Sequence, residues 1–161
     1  MEDILSTECT QRTYTIFELA NWFLSKSSMT HKKLQKLCYY AVAWHYALYD
    51  KQLISNDTFE AWVHGPVSRE LYEKYRGYAW NPIGQRSEAP NFDADDNQYL
   101  EILYETYKHL DGHQLEARTH EELPWKEARK GLGELDPSNN IINPETMCNY
   151  YKMIYESSQS D

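Results

Sequence analysis

The sequence predicts a mainly α-helical fold with a small β element (α+β): a compact bundle around one long central helix, with a short strand or hairpin leading into a Gly-Pro corner. Three observations carry this. Apolar residues recur at helical spacing over most of the chain. From Phe59 to His64 the pattern changes to a period of two, which places Phe59, Ala61 and Val63 on one face and Glu60, Trp62 and His64 on the other. The pair Gly65-Pro66 then breaks the extended run, as glycine followed by proline does wherever the chain must turn.

Residues 1–13 are polar, lack periodicity and read as a loose arm. Thr15-Ile-Phe-Glu18 has the spacing of a capping box, in which hydroxyl and carboxylate each satisfy a backbone N–H at a helix start. Ile16, Leu19, Ala20, Phe23 and Leu24 continue that helix to about Ser27. Thr30 caps a second helix reaching Tyr49, with Leu34, Leu37, Cys38, Ala41, His45 and Leu48 on one side and Tyr39, Tyr40, Trp44 and Tyr46 on the other. A helix apolar on most faces belongs at the centre. Lys51 to Asp57 reads as a turn and edge segment, with a weak hairpin signal at Asn56-Asp57.

At the corner, Pro66 suits the first position of a helix and Gly65 permits the bend. That helix turns Val67, Leu71 and Tyr75 inward and ends near Gly77. Tyr78 to Phe92 is a long loop with a short strand near Ile83, and loops of this length often carry function. Asp95-Asp96 favours a helix start, Leu100, Leu103, Tyr104, Tyr107 and Leu110 form its buried face, and Gly112 stops it. A short helix runs from His113 to about Thr119, and Pro124 opens another that leads to Lys130. After a loop from Gly131 to Asn140, Asn143-Pro144 opens the last helix. It buries Met147, Tyr150 or Tyr151, and Ile154, before a polar tail from Ser157 to Asp161. Without an internal repeat or linker, residues 14–156 read as one domain.

A chain of 161 residues is long enough for a single core. Its 14 Tyr and 5 Trp predict a core lined by rings with polar tips, and they also suit a protein-binding surface. Three widely spaced cysteines, Cys9, Cys38 and Cys148, read as reduced thiols. With no basic leader and no apolar run long enough for a membrane span, a cytoplasmic protein without membrane contact is expected. The net charge of −9 is uneven: residues 1–85 balance nine basic against nine acidic side chains, whereas residues 86–161 hold seven against sixteen. Such a surface repels phosphate backbones, so no direct nucleic-acid partner is expected. Lys26, Lys32, Lys33 and Lys36 read as a helix-entry patch and solvated face.

Reactive constellations are missing. His45 and Cys38 lie on the apolar stripe of the long helix and read as core residues, with no nucleophile and orienting group near them in sequence. His109, His113 and His120 raise the question of a metal. Gly112 interrupts the face that the first two would share, and no His-Glu-x-x-His frame is present, so neither metal nor cofactor is expected. Glu121-Glu122 reads as a solvated acidic face, since nothing near it in sequence would push the two pKa values apart. The residues alone specify no enzyme. Trp62 and His64, on the polar face of the strand, stand out; Trp62 either packs under a loop or meets a partner.

The ordered landmarks Leu34-Gln-Lys-Leu37, Tyr39-Tyr40, Trp44-His45, Glu60-Ala-Trp62, Gly65-Pro-Val67, Leu71-Tyr72, Leu115, Thr119-His120, Pro124-Trp125 and Ile141-Ile142 together resemble the Panacea domain, the SocA-like antitoxin-associated domain of phage-associated bacterial proteins. The resemblance covers about Ile16 to Tyr155. It implies the antitoxin of a toxin–antitoxin pair, which neutralises a cognate toxin protein by direct binding. A related branch of the family instead delivers its toxin to a AAA+ protease as an adaptor, and a phage-encoded counter-defence factor using His120 with Glu121 is a third reading. On the first, Trp62, His64, His120 and Trp125, framed by Gly65, Pro66 and Val67, are the partner-binding residues. Equally, Gly65 to Val67 and Trp125 read as corners that hold the fold.

Overall fold

The computed structural model describes residues 12–159; of the arm expected over residues 1–13, residues 1–11, Cys9 among them, lie outside them, as do the last two residues of the tail. Helix α1 (Ile16–Lys26) opens on the capping box: the Glu18 amide donates to Thr15 Oγ1 at 3.0 Å and the Thr15 amide to Glu18 Oε1 at 2.9 Å. Helix α2 (His31–Tyr49) is capped by Thr30 and ends at Asp50, whose φ of +60° closes the last turn. Its position is central. Helix α1, the strand Gly65–Val67, and the later helices α3 (Arg69–Tyr75), α4 (Ala94–Tyr107), α5 (Gly112–His120) and α7 (Pro144–Gln159) all pack on it, α7 most extensively. Helix α6 (Leu123–Ala128) bridges α5 and α7. Every residue from Leu34 to Ala43 is buried, so this stretch of α2 has no solvent face at all. Removing Leu34 or Leu37 to alanine would cost about 2–5 kcal/mol each, because the surrounding elements cannot all collapse into the gap.

The core is built of rings with polar tips, as the composition predicts. Tyr40 and Tyr107 stack with centroids 4.4 Å apart, and Trp44 Nε1 donates to the Tyr107 hydroxyl at 2.8 Å. The Tyr40 and Tyr151 hydroxyls both donate to Glu122 Oε1, at 2.7 and 2.8 Å. Glu122 is therefore no part of a solvated acidic pair. Burial pushes its carboxyl above the usual range, against the opposing pull of the two tyrosine hydrogen bonds. His45 is a satisfied core histidine, with Nδ1 2.8 Å from the Lys51 carbonyl, and Cys38 is buried beside it on the stripe.

The β element is where local sequence rules are overridden. Strands β1 (Glu60–Trp62) and β2 (Gly65–Val67) form an antiparallel hairpin, Glu60 opposite Val67, Ala61 opposite Pro66 and Trp62 opposite Gly65, around a two-residue turn at Val63-His64. Pro66 thus lies in a strand and does not open a helix. Its missing N–H costs nothing there, because Ala61 opposite turns its own amide to the Asn140 carbonyl at 2.8 Å and its carbonyl to Arg129 Nη1 at 3.0 Å. The helix begins three residues later, at Arg69, where Ser68 Oγ caps the Leu71 amide.

Other boundaries also move. A bridge between Tyr14 and Ile54 replaces any hairpin at Asn56-Asp57. The short strand expected near Ile83 is a single bridge to Met29. Helix α4 ends at Tyr107, and Gly112 opens α5 behind an Asp111–Gln114 capping box where a helix stop was expected. Helix α7 continues through Ser157 to Gln159, into the expected tail. Arg129, buried after α6, donates to the carbonyls of Ala61, Gly133, Glu134 and Asp136 and ties the loop after α6 to β1.

Candidate functional site

Two side chains of α2 set the hairpin in place. Gln35, buried, clamps Ser68 from both sides: its Nε2 donates to the Ser68 carbonyl at 2.9 Å and its Oε1 accepts from the Ser68 amide at 2.8 Å. One residue on, Lys36 is 2% exposed and runs beneath Gly65, with Nζ 3.4 Å from the Pro66 carbonyl. The glycine is needed twice over. Its φ is +110°, and a Cβ there would lie 2.6 Å from Lys36 Cε and 3.2 Å from Thr119 Oγ1. Lys36 is accordingly not part of a solvated lysine face, and its companions are engaged as well: Lys26 pairs with Glu101, Lys32 with Glu116, and Lys33 reaches the Lys108 carbonyl. The stretch Leu34 to Ala43 has no outward face to offer a lysine, and of the four only Lys36 lies in it.

So held, the hairpin raises Trp62 and His64 at its tip. Trp62 is half-buried: its Nε1 donates to Glu60 Oε1 at 2.8 Å, Tyr72 meets its ring edge-on at 4.8 Å, and the Arg69 guanidinium lies 5.5 Å from its centroid. His64 is exposed, with Nδ1 3.2 Å from Glu116 Oε2. Burial would raise the Glu116 carboxyl, but hydrogen bonds from Lys32 and His64 outweigh it and hold the group below its ordinary value. Behind the tip, Trp125 is buried at 8% exposure and donates Nε1–H to the Trp62 carbonyl at 2.8 Å. His120 stacks on it at 4.0 Å, and burial lowers the pKa of that imidazole. Gly65, Pro66 and Val67 are buried.

The structure therefore brings all seven sequence-selected residues to one place and divides them into a surface and its support. Trp62 and His64 are the accessible part; Gly65, Pro66, Val67, Trp125 and partly buried His120 lie behind and beneath them. Two concavities flank the tip. On one side an open groove of about 590 Å³ runs between Trp62, Val63, Arg69 and Pro137–Asn139. On the other a cavity of about 350 Å³ lies between Trp62, Lys36, His31, Tyr72 and Trp80.

Sequence reasoning missed Gln35, Lys36, Tyr72, Trp80, His31 and Glu116. A signal for the first two existed: polar residues inside a stretch of helix with no solvent side must find partners in the core. Nothing in the spacing of Trp80 announces its place at the cavity, because the chain before it turns at Ala79 with φ +51°. Among the described residues no group of three or more His, Cys, Asp or Glu is placed to hold a metal ion, and no helix is long and apolar enough to cross a membrane.

Comparison with known proteins adds one finding: residues 34–126 match the family model described as antitoxin SocA-like, Panacea domain. No curated protein and no solved structure matches the chain.

Proposed function

Because the chain belongs to the SocA-like antitoxin, Panacea domain family, we propose that it is the antitoxin of a toxin–antitoxin pair and neutralises a cognate toxin by direct, stoichiometric contact, with no catalytic turnover. The observation that supports this reading most is the hairpin tip: Trp62 and exposed His64 stand between two concavities, on a scaffold whose buried residues hold them there. An aromatic anchor beside pockets that its partner can fill is the arrangement from which a few residues supply most of a binding energy. A stable complex would bury roughly 1,200–2,000 Å² in total. The hairpin, the loop at Pro137–Asn139 and Trp80 lie around the two concavities and offer a surface from which such an interface would be built. The acidic second half of the chain favours a toxin with a basic contact surface.

The test is co-expression with the neighbouring small open reading frame. Wild type restores growth and co-purifies with the toxin at a fixed ratio. Trp62→Ala folds, since Trp62 is half-buried and Trp125 bonds only its backbone, but it loses rescue and co-purification. Rescue that survives Trp62→Ala and His64→Ala together removes the hairpin from the interface. Loss of rescue on deleting a host AAA+ protease, with the complex intact, assigns the chain to proteolytic delivery instead. Unchanged rescue by His120→Ala would speak against a reaction at His120.

A further inference from the structure

The cavity on the Tyr72 side of the hairpin differs in kind from the open groove. Its floor holds Lys36, whose ammonium has three donors and, among the described residues, one hydrogen-bond partner, the Pro66 carbonyl at the long distance of 3.4 Å. Glu116 attracts Lys36 without pairing with it, because its oxygens are taken by Lys32 and His64. Nearby, His31 Nδ1 is buried with no partner. Burial, followed by the repulsion of Lys32, pushes Lys36 down to about 7, where an arriving negative charge would restore its proton. The walls are aromatic: Tyr72, whose ring lies 5.9 Å from that of His31, Trp62, and Trp80, which is 77% exposed at the rim. Trp80 follows Ala79, whose φ of +51° is one that alanine rarely adopts. On a protein with a net charge of −9, this is a recess of basic groups lined by rings.

We propose that this cavity binds an oxyanion, carboxylate or phosphate, carried on a flat aromatic body, with the anion seated at Lys36 and His31 and the ring against Tyr72 and Trp80. The site depends on the antitoxin reading only for the source of the anion, which is either the toxin, through a phosphotyrosine or a C-terminal aromatic residue with its α-carboxylate, or a free small molecule.

The experiment titrates phenyl phosphate, phenylacetate and the neutral benzyl alcohol into the nitrogen-15-labelled full chain, following the indole N–H signals of Trp62 and Trp80. Both anions are expected to saturate and to bind at least about tenfold more tightly than the alcohol, a difference of about 1.4 kcal/mol. Lys36→Met is expected to erase that preference. Trp80→Ala, at an exposed position that the fold does not need, is expected to weaken the anions with Lys36 untouched. Anions that bind no better than the alcohol, or as well to Lys36→Met as to wild type, overturn the proposal. Adding phenyl phosphate to the complex with co-expressed toxin then separates the sources: release of the toxin assigns the anion to the toxin, and binding without release assigns it to a free ligand. If no complex forms, the antitoxin reading fails while the titration still decides the cavity.

Discussion

A methyl group at Gly65 would press on Lys36 Cε at 2.6 Å while forcing an L-residue to φ +110°. Gly65→Ala should therefore lower stability by about 1–3 kcal/mol through strain and overpacking together, a loss read from the denaturation midpoint. Lys36 itself gives a second prediction, with a sign. Its pKa falls from 10.5 to about 7 on burial, so below pH 7 folded and unfolded chains both hold the ammonium and its burial opposes folding in full. Between about 7 and 10.5 the unfolded chain binds more protons, and stability climbs with pH. The groups facing Lys36, namely Lys32, His31, His64, His120 and Glu116, are common to both proteins in a comparison with Lys36→Met. Across pH 7 to 8.5, wild type should gain stability relative to Lys36→Met, which should be the more stable protein at pH 7. A constant gap between the two melting curves would contradict this.

At the scale of elements, the joint between α2 and α3 rests on a single amide. Gln35→Ala leaves the Ser68 amide buried without a partner, while the Ser68 carbonyl keeps the Tyr72 amide at 2.9 Å, and should cost about 1–3 kcal/mol for the one stranded group. Exchange of backbone amides with solvent should quicken first in β2 and the start of α3 if the clamp is what holds them. Capping made the helix starts legible: Thr15 with Glu18 and Thr30 act within a few residues of chain. The hairpin was not legible in the same way. Gly65-Pro66 satisfies the local rules for a helix entry, and what places Pro66 in a strand is Ala61 bonding to Asn140 and Arg129, partners that lie more than sixty residues away. Gly112 is a different case: the capping pair Asp111 and Gln114 that makes it a start lies beside it in the chain, while the periodicity before it points to a stop.

For the molecule as a whole, charge is the property that partners sense first. All of the net −9 arises from residues 86–161. Association with a basic toxin should accordingly slow by about tenfold or more between low and high salt, measured as an association rate, with dissociation changing less because Trp62 and its flanking concavities are contacts of packing. A rate indifferent to salt would mean that the acidic half faces away from the partner.

Composition, periodicity and the order of short motifs determined the helical class, the central place of α2, the ring-rich core and the family, because each depends on residues close together in the chain or on the mere sequence of landmarks. Tertiary structure alone decided that Lys36 is buried and Glu122 drawn partly into the core, that Pro66 is a strand residue, and that Trp62 and His64 stay accessible while Trp125 is buried behind them. These are settled by which distant atoms satisfy a charge or a backbone group, and one residue's spacing from its neighbours carries no record of that.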